Sequence, residues 1–286
     1  MEYAIKIDHL TKDYGSFVLQ DVSLAVPGGT IMGLIGENGA GKSTTIKCIL
    51  NLIHRDAGTI TLLDKDNIAE EAAVKEDIGL VLDESLFHDS LRPRDVGKIM
   101  GKLYQNWDGR LFDSYLEKFS LSKDKLVKEL SKGMKMKLSI AAALSHHPRL
   151  LILDEATSGL DPVVRDELLD EFLAFIQDED HAILISSHIT SDLEKVADYV
   201  TYLHKGRVAV QGTKDELLES YGRLACTRTD LAKVDRAFLA GVRENQFGCE
   251  ALVKDRRAFR AAYPDLPVDP VSLEDIMVFT VKGEQK

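Results

Sequence analysis

Residues 30–44 read TIMGLIGENGAGKST, and this stretch decides the fold. Thr30 to Ile35 is a short apolar run of the kind a buried strand uses. It runs directly into G-x-x-x-x-G-K-[ST] at Gly36, Glu37, Asn38, Gly39, Ala40, Gly41, Lys42 and Ser43. Thr44 to Ile53 then carries a helical pattern. Strand, glycine loop and helix in that order make a phosphate cradle, because the glycines let successive N–H groups converge and the helix N-terminus favours an anion. Lys42 is placed to reach the β- and γ-phosphates of a nucleotide and the Ser43 hydroxyl to ligate Mg²⁺, so ATP and Mg²⁺ are the expected ligands.

A second apolar run, Leu150-Leu151-Ile152-Leu153, ends in Asp154-Glu155. Acidic residues at the C-terminal end of a central strand stand at the ligand edge of an open parallel sheet. Asp154 is there to hold Mg²⁺ and Glu155 to polarise the water that attacks the γ-phosphate. His188 follows a third such run, Ala182 to Ser186, and reaches the same edge to contact the γ-phosphate. The other histidines, His204 among them, read as packing or surface residues.

Outward from these runs, Tyr3 to Leu10 and Phe17 to Val26 read as strands, as do residues 58–63 and Ile78 to Leu82. Residues 86–149 are mostly helical by apolar spacing, in Asp95 to Tyr104, Leu111 to Phe119 and Lys132 to Leu144. Asp161 to Ile176 forms another helix, with Pro162 suited to its first turn, and Asp192 to Ala197 a short one. Tyr202 to Val210 reads as a hairpin around Lys205-Gly206. Short buried strands alternating with helices imply an α/β fold with a mainly parallel sheet. Composition shifts after about Tyr221, which divides the chain into a domain of residues 1–220, with a helical subdomain at about 85–149, and a small α/β accessory domain of residues 221–286. Within the latter, Ile276, Val278 and Phe279 are expected to pack against the rest of that module.

The 286 residues carry a net charge of −11 and an estimated pI of 5.3, an acidic balance that argues against a nucleic-acid partner. No run of 18 apolar residues is present to span a bilayer, and the N-terminus lacks the pattern of a signal peptide. Cys48, Cys226 and Cys249 are few and scattered, which fits a reducing compartment.

The motifs together resemble the nucleotide-binding subunit of an ATP-binding-cassette (ABC) transporter over roughly residues 1–215. Residues 36–44, ending in Thr44, match its Walker A loop, and Tyr14 matches the aromatic that stacks on adenine. Ser131, Lys132, Gly133 and Met134 lie where the family signature, usually LSGGQ, belongs. Ser158, Gly159, Leu160 and Asp161 match the D-loop, and His188 the switch histidine. The resemblance implies a P-loop ATPase core with an N-terminal antiparallel β subdomain. It implies a head-to-tail dimer, with itself or with another ABC ATPase. Two ATP molecules would sit at the interface, each between one subunit's Walker A loop and the other's signature. A separate integral-membrane transporter subunit is the implied partner, docked near Ser85 to Tyr104 at the cytoplasmic face of the membrane.

Three positions, in two motifs, depart from the family pattern. Lys132 and Met134 replace Gly and Gln in the signature, and Asp83 stands where the Q-loop normally has Gln. Residues 83–84 and 131–134 are similar to those of bacterial exporter ATPases for peptides, antibiotics or lipids. A soluble ABC-type ATPase that remodels a protein or nucleic-acid assembly is the alternative, but this chain has a single cassette and no coiled-coil insert between Lys42 and Asp154. A P-loop small-molecule kinase leaves the signature, D-loop and His188 without a role.

Overall fold

The computed structural model describes residues 2–246 and 248–283. Met1, Phe247 and residues 284–286 lie outside the described residues. Strands β1 (Tyr3–Asp13) and β2 (Val18–Pro27) pair antiparallel, with alternate residues Ile5, Ile7, Val22, Leu24 and Val26 turned inward. Next comes β3 (Ile31–Ile35), all five residues of which are buried. The following helix α1 spans Lys42–Ile49 and not Thr44 to Ile53, because Asn51 takes a left-handed conformation that stops it. Strand β4 (Ala57–Leu62) returns to pair with β1, placing Ile5 opposite Leu62 and Ile7 opposite Ile60, and β5 (Lys65–Asp66) completes a four-stranded antiparallel sheet.

A short helix α2 (Glu71–Glu76), absent from the sequence-based expectations, leads into β6 (Ile78–Val81). The helical layer follows as α3 (Pro93–Leu103), α4 (Gly109–Lys118) and α5 (Lys132–Leu144). Each turns one apolar stripe inward, Val96 from the first, Phe112 and Leu116 from the second, Leu138 and Ile140 from the third. The chain then runs through β7 (Leu150–Asp154), α6 (Pro162–Phe175), β8 (Ala182–Ser187) and α7 (Thr190–Val196) to the hairpin of β9 (Tyr199–His204) and β10 (Arg207–Thr213). Lys205 and Gly206, with φ of 46° and 77°, make the two-residue turn of that hairpin.

The central sheet has the order β10-β9-β3-β8-β7-β6, parallel throughout except for the β9–β10 pair. Strands β3, β7 and β8 are covered on both faces, which is why their sequences run apolar without alternation. Their register sets the site: Ile35 lies beside Ser187, and Ser186 beside Asp154. The loops after all three strands therefore open on one edge.

After α8 (Lys214–Ser220) come β11 (Gly222–Cys226), α9 (Arg228–Leu231), β12 (Leu239–Asn245), β13 (Gly248–Val253), α10 (Arg256–Ala262), β14 (Val268–Asp269) and α11 (Leu273–Gly283). These strands form a separate antiparallel sheet in the order β12-β13-β11-β14, over a small core of Leu224, Ala251, Val253 and Phe259. Helix α11 does not pack within this module alone. Ile276 and Phe279 join the main core that holds Leu193 and Val196 of α7, and the Leu273 N–H donates to Glu194 Oε1 at 2.6 Å. Met277 and Val281 pack alongside, whereas Val278 is half-buried.

Candidate functional site

The phosphate loop is shaped by contacts that only glycine permits at its first and last bends. A Cβ on Gly36 would lie 2.7 Å from the Leu203 carbonyl oxygen, and Gly41, which precedes α1, has φ of 114°. Lys42 points back across the loop, where Nζ donates to the Gly36 carbonyl at 2.7 Å. Glu37 is held from the neighbouring strand: the Tyr202 hydroxyl donates to Oε2 at 3.0 Å and His204 Nδ1 lies 2.6 Å from Oε1. The parallel pairing of Ile35 with Tyr202 brings these side chains to the loop. His204 is thus a contact of the loop, where the sequence suggests a packing or surface residue.

Asp154 and Glu155 leave the end of β7 in different environments. Asp154 is buried, and its Oδ1 accepts from the Ser186 hydroxyl at 2.6 Å. The same hydroxyl accepts from the Glu155 N–H at 3.0 Å, so one buried serine fixes both acidic residues. Glu155 takes a left-handed φ of 54°, a strained conformation for a side chain of its kind, and this turns its carboxylate to the loop. Lys42 Nζ stands 3.1 Å from Glu155 Oε1, with the two side chains only 6% and 14% exposed. His188 Nδ1 stands 2.6 Å from Glu155 Oε2. A carboxylate only accepts, so the shared proton belongs to the imidazole. Glu155 Oε1 is buried, and its close partner is the Lys42 ammonium.

The structure therefore brings Lys42, Glu155 and His188 into direct contact, with Asp154 one serine away. Ser43 is exposed at the start of α1 and Thr44 half-buried behind it. Asn38 and Gly39 form the exposed tip of the loop, and Ala40 is buried at its base. Tyr14 is exposed after β1, with Lys12 Nζ 5.5 Å from the centre of its ring. Ser131 caps α5 by accepting from the Met134 N–H, with Lys132 and Gly133 in the first turn. Asp161 likewise caps α6, directly after Ser158, Gly159 and Leu160. Asp83 lies beyond β6, where it pairs with Lys132 at 3.1 Å.

Comparison with known proteins follows the same lines. The ABC transporter family matches residues 19–158. The bacitracin transport ATP-binding protein BcrA of Enterococcus faecalis is 34% identical over 220 residues, covering 76% of this chain and 71% of that protein. The chain belongs to the ATP-binding subunits of ABC transporters. Another relative of this ATP-binding subunit is the lantibiotic transport ATP-binding protein SrtF of Streptococcus pyogenes, 34% identical over 214 residues, which cover 74% of this chain and 91% of its own. A solved ATP-binding subunit of an ABC transporter superposes with a TM-score of 0.69 at 29% identity, over 75% of this chain and 91% of that one. ABC ATP-binding subunits are ATPases as a class, and they work beside membrane components. Among the described residues no helix is long and apolar enough to cross a membrane.

Ser186, Tyr202 and His204 escaped the sequence reading. Ser186 and Ser187 were the readable signal, since two hydroxyls in an otherwise apolar buried strand need partners. Tyr202 and His204 offered none, because Glu37 is distant in sequence from both.

Proposed function

We propose that this subunit hydrolyses ATP to drive an exporter of the antibiotic, peptide or lipid type through a separate membrane protein, at the cytoplasmic face of the membrane. The observation that carries the ATPase half is the Glu155 carboxylate, largely enclosed and held against the phosphate loop between Lys42 at Oε1 and His188 at Oε2. An attacking water donates to that carboxylate once Lys42 turns to the nucleotide, and the carboxylate takes its proton as the γ-phosphate bond breaks. The loop N–H groups of Gly36 to Ser43 hold the phosphate oxygens, and the γ-phosphate draws the Lys42 ammonium away from Glu155. His188 keeps the freed carboxylate oriented through Nδ1.

Mg²⁺ fits this edge of the sheet. The Ser43 hydroxyl and the Asp154 carboxylate are hard oxygen donors, and Asp154 gives only Oδ1 to Ser186, leaving its other oxygen for the ion or its water. When bound, Mg²⁺ would neutralise charge on the phosphates.

The same proposal places two copies, or this chain and a related ATPase, head to tail with ATP between each Walker A loop and the partner's signature. Ser131 and Gly133 open a 13-residue helix whose N-terminus suits a phosphate. The membrane partner would meet the region from Ser85 to Tyr104, where Leu86, Ile99 and Leu103 are exposed. No nucleic acid takes part.

The test is to tag the protein in its native cells, solubilise washed membranes gently and identify what comes down with it. A stoichiometric partner with several membrane spans is the expected result. Recovery with ribosomes, or with nothing, would overturn the exporter half and leave ATP hydrolysis to be measured on its own.

A further inference from the structure

The segment from Leu82 to Arg92 joins β6 to α3, and the stretch from Val127 to Lys135 carries the signature. Four contacts fasten one to the other. The Val127 N–H donates to the Leu91 carbonyl at 2.8 Å and the Lys128 N–H to the Asp89 carbonyl at 3.2 Å. Lys135 Nζ lies 3.3 Å from Asp89 Oδ1, and Lys132 Nζ 3.1 Å from Asp83 Oδ1. A cavity of about 450 Å³ lies between, lined by Ser85, Phe87, Leu130 and Met136 together with these charged groups.

The Lys132–Asp83 contact differs from the other three in what else its ammonium faces. Lys132 is the first residue of α5, beside Ser131, at a helix end that favours an anion. Its Nζ also lies over the D-loop, 3.2 Å from where a Cβ on Gly159 would be. Lys132 and Asp83 are moreover two of the positions at which this chain departs from the family pattern, and the structure shows that the departures are opposite charges in contact. Both side chains are about half exposed, at 49% and 51%, so the pair is weak and exchangeable. A triphosphate presents more negative charge than one carboxylate does.

We infer that Asp83 is a positioning residue that acts through Lys132. In the free subunit it holds the ammonium on its own segment. When two subunits close on ATP, the ammonium passes from the Asp83 carboxylate to phosphate oxygens. Asp83 also begins the segment proposed to meet the membrane partner, so movement of that segment sets how readily Lys132 is released. The inference rests on the head-to-tail reading of the signature given above.

ATP-driven dimerisation of the full-length Glu155→Gln variant, followed by light scattering against ATP concentration with Mg²⁺ present, tests it. Adding Asp83→Asn is expected to lower the half-saturating ATP concentration about two- to fivefold, the scale of an exposed ion pair. Adding Lys132→Gln is expected to raise it. With Lys132→Gln already in place, Asp83→Asn should bring no further shift, and Asp83→Glu, which keeps the carboxylate, should behave as the parent does. An equal shift from Asp83→Asn in both backgrounds, or none in either, overturns the inference while the dimer reading stands. A Glu155→Gln protein that never dimerises with ATP overturns that reading and the inference with it.

Discussion

The two ends of the proposed ATP sandwich are built in different ways. At the phosphate loop, Lys42 and Glu155 are almost fully enclosed; Gly36 and Ser186 fix them from buried positions, and the exposed His188 holds Glu155 from just beyond β8. At the signature, Lys132 and Asp83 meet at the surface with half of each side chain in water. Charges in a low-dielectric pocket act strongly and reorganise little, which suits bond breaking. Charges at the surface are screened and exchange partners readily, which suits a contact that must form and break in every cycle. On the proposed reading, one chain keeps its chemistry rigid and its closure adjustable.

The largest effect expected from this contrast is at Glu155. Glu155→Gln should cut ATP turnover on the order of 10²-fold or more while ATP still binds, because the shape stays and the proton acceptor goes. Lys42→Ala should instead weaken ATP binding by about tenfold or more, since it removes a positive charge from the phosphates. Phosphate release and equilibrium nucleotide binding separate the two, and normal turnover in Glu155→Gln would break the comparison at its centre.

Ser186→Ala should come next. It leaves the buried Asp154 Oδ1 without its donor, whereas the Glu155 N–H keeps the Ser186 carbonyl, at a cost of about 1–3 kcal/mol in stability. Urea unfolding together with kcat measures both consequences, and a fully stable, fully active variant would mean that the enclosed end is less rigid than described.

A third effect is set by pH at the foot of β6. His146 is buried against Tyr104, with Nε2 donating to the Ile78 carbonyl at 3.0 Å. Burial holds its pKa below the ordinary 6.5, so the unfolded chain binds the proton more readily than the folded one. Stability should be full above about pH 6.5 and should fall as pH drops below it. His146→Gln should flatten that fall between pH 7.5 and 5.5 in denaturation midpoints, and parallel curves for the two proteins would refute the assignment.

The smallest effect belongs to the exposed end. A double-mutant cycle on Lys135 and Asp89 should give a coupling under about 1 kcal/mol that fades in high salt. A salt-insensitive coupling of several kcal/mol would show the signature region to be as rigid as the phosphate loop.

Much of the enclosed end was legible in the sequence because it is made of local features. The apolar runs of β3, β7 and β8 announce strands buried on both faces, and the residue after each run falls at the ligand edge by topology. The loop glycines and the Lys205-Gly206 turn state their own backbone conformations. What stayed hidden depends on pairs far apart in the chain. Asp83 and Lys132 are separated by 49 positions, and neither signals the other. Glu37 and His204 are separated by 167, and a lone histidine at a strand end has no readable partner. Helix α11 displayed an apolar face, with Ile276 and Phe279 three residues apart, but the pattern says only that something covers it and not that α7 does.

That last pairing has a consequence for the order in which the protein is completed during synthesis. Glu194 of α7 accepts from the Leu273 N–H, made 79 positions later. A nascent chain leaving the ribosome therefore carries the strand of His188 and the helix after it well before their covering helix exists. In that interval Leu193 and Val196 lack the apolar neighbours that Ile276 and Phe279 bring. The ATPase half finishes its own core only after the module beyond it has been translated, so early translation arrest yields a polypeptide with every nucleotide motif and an uncovered flank.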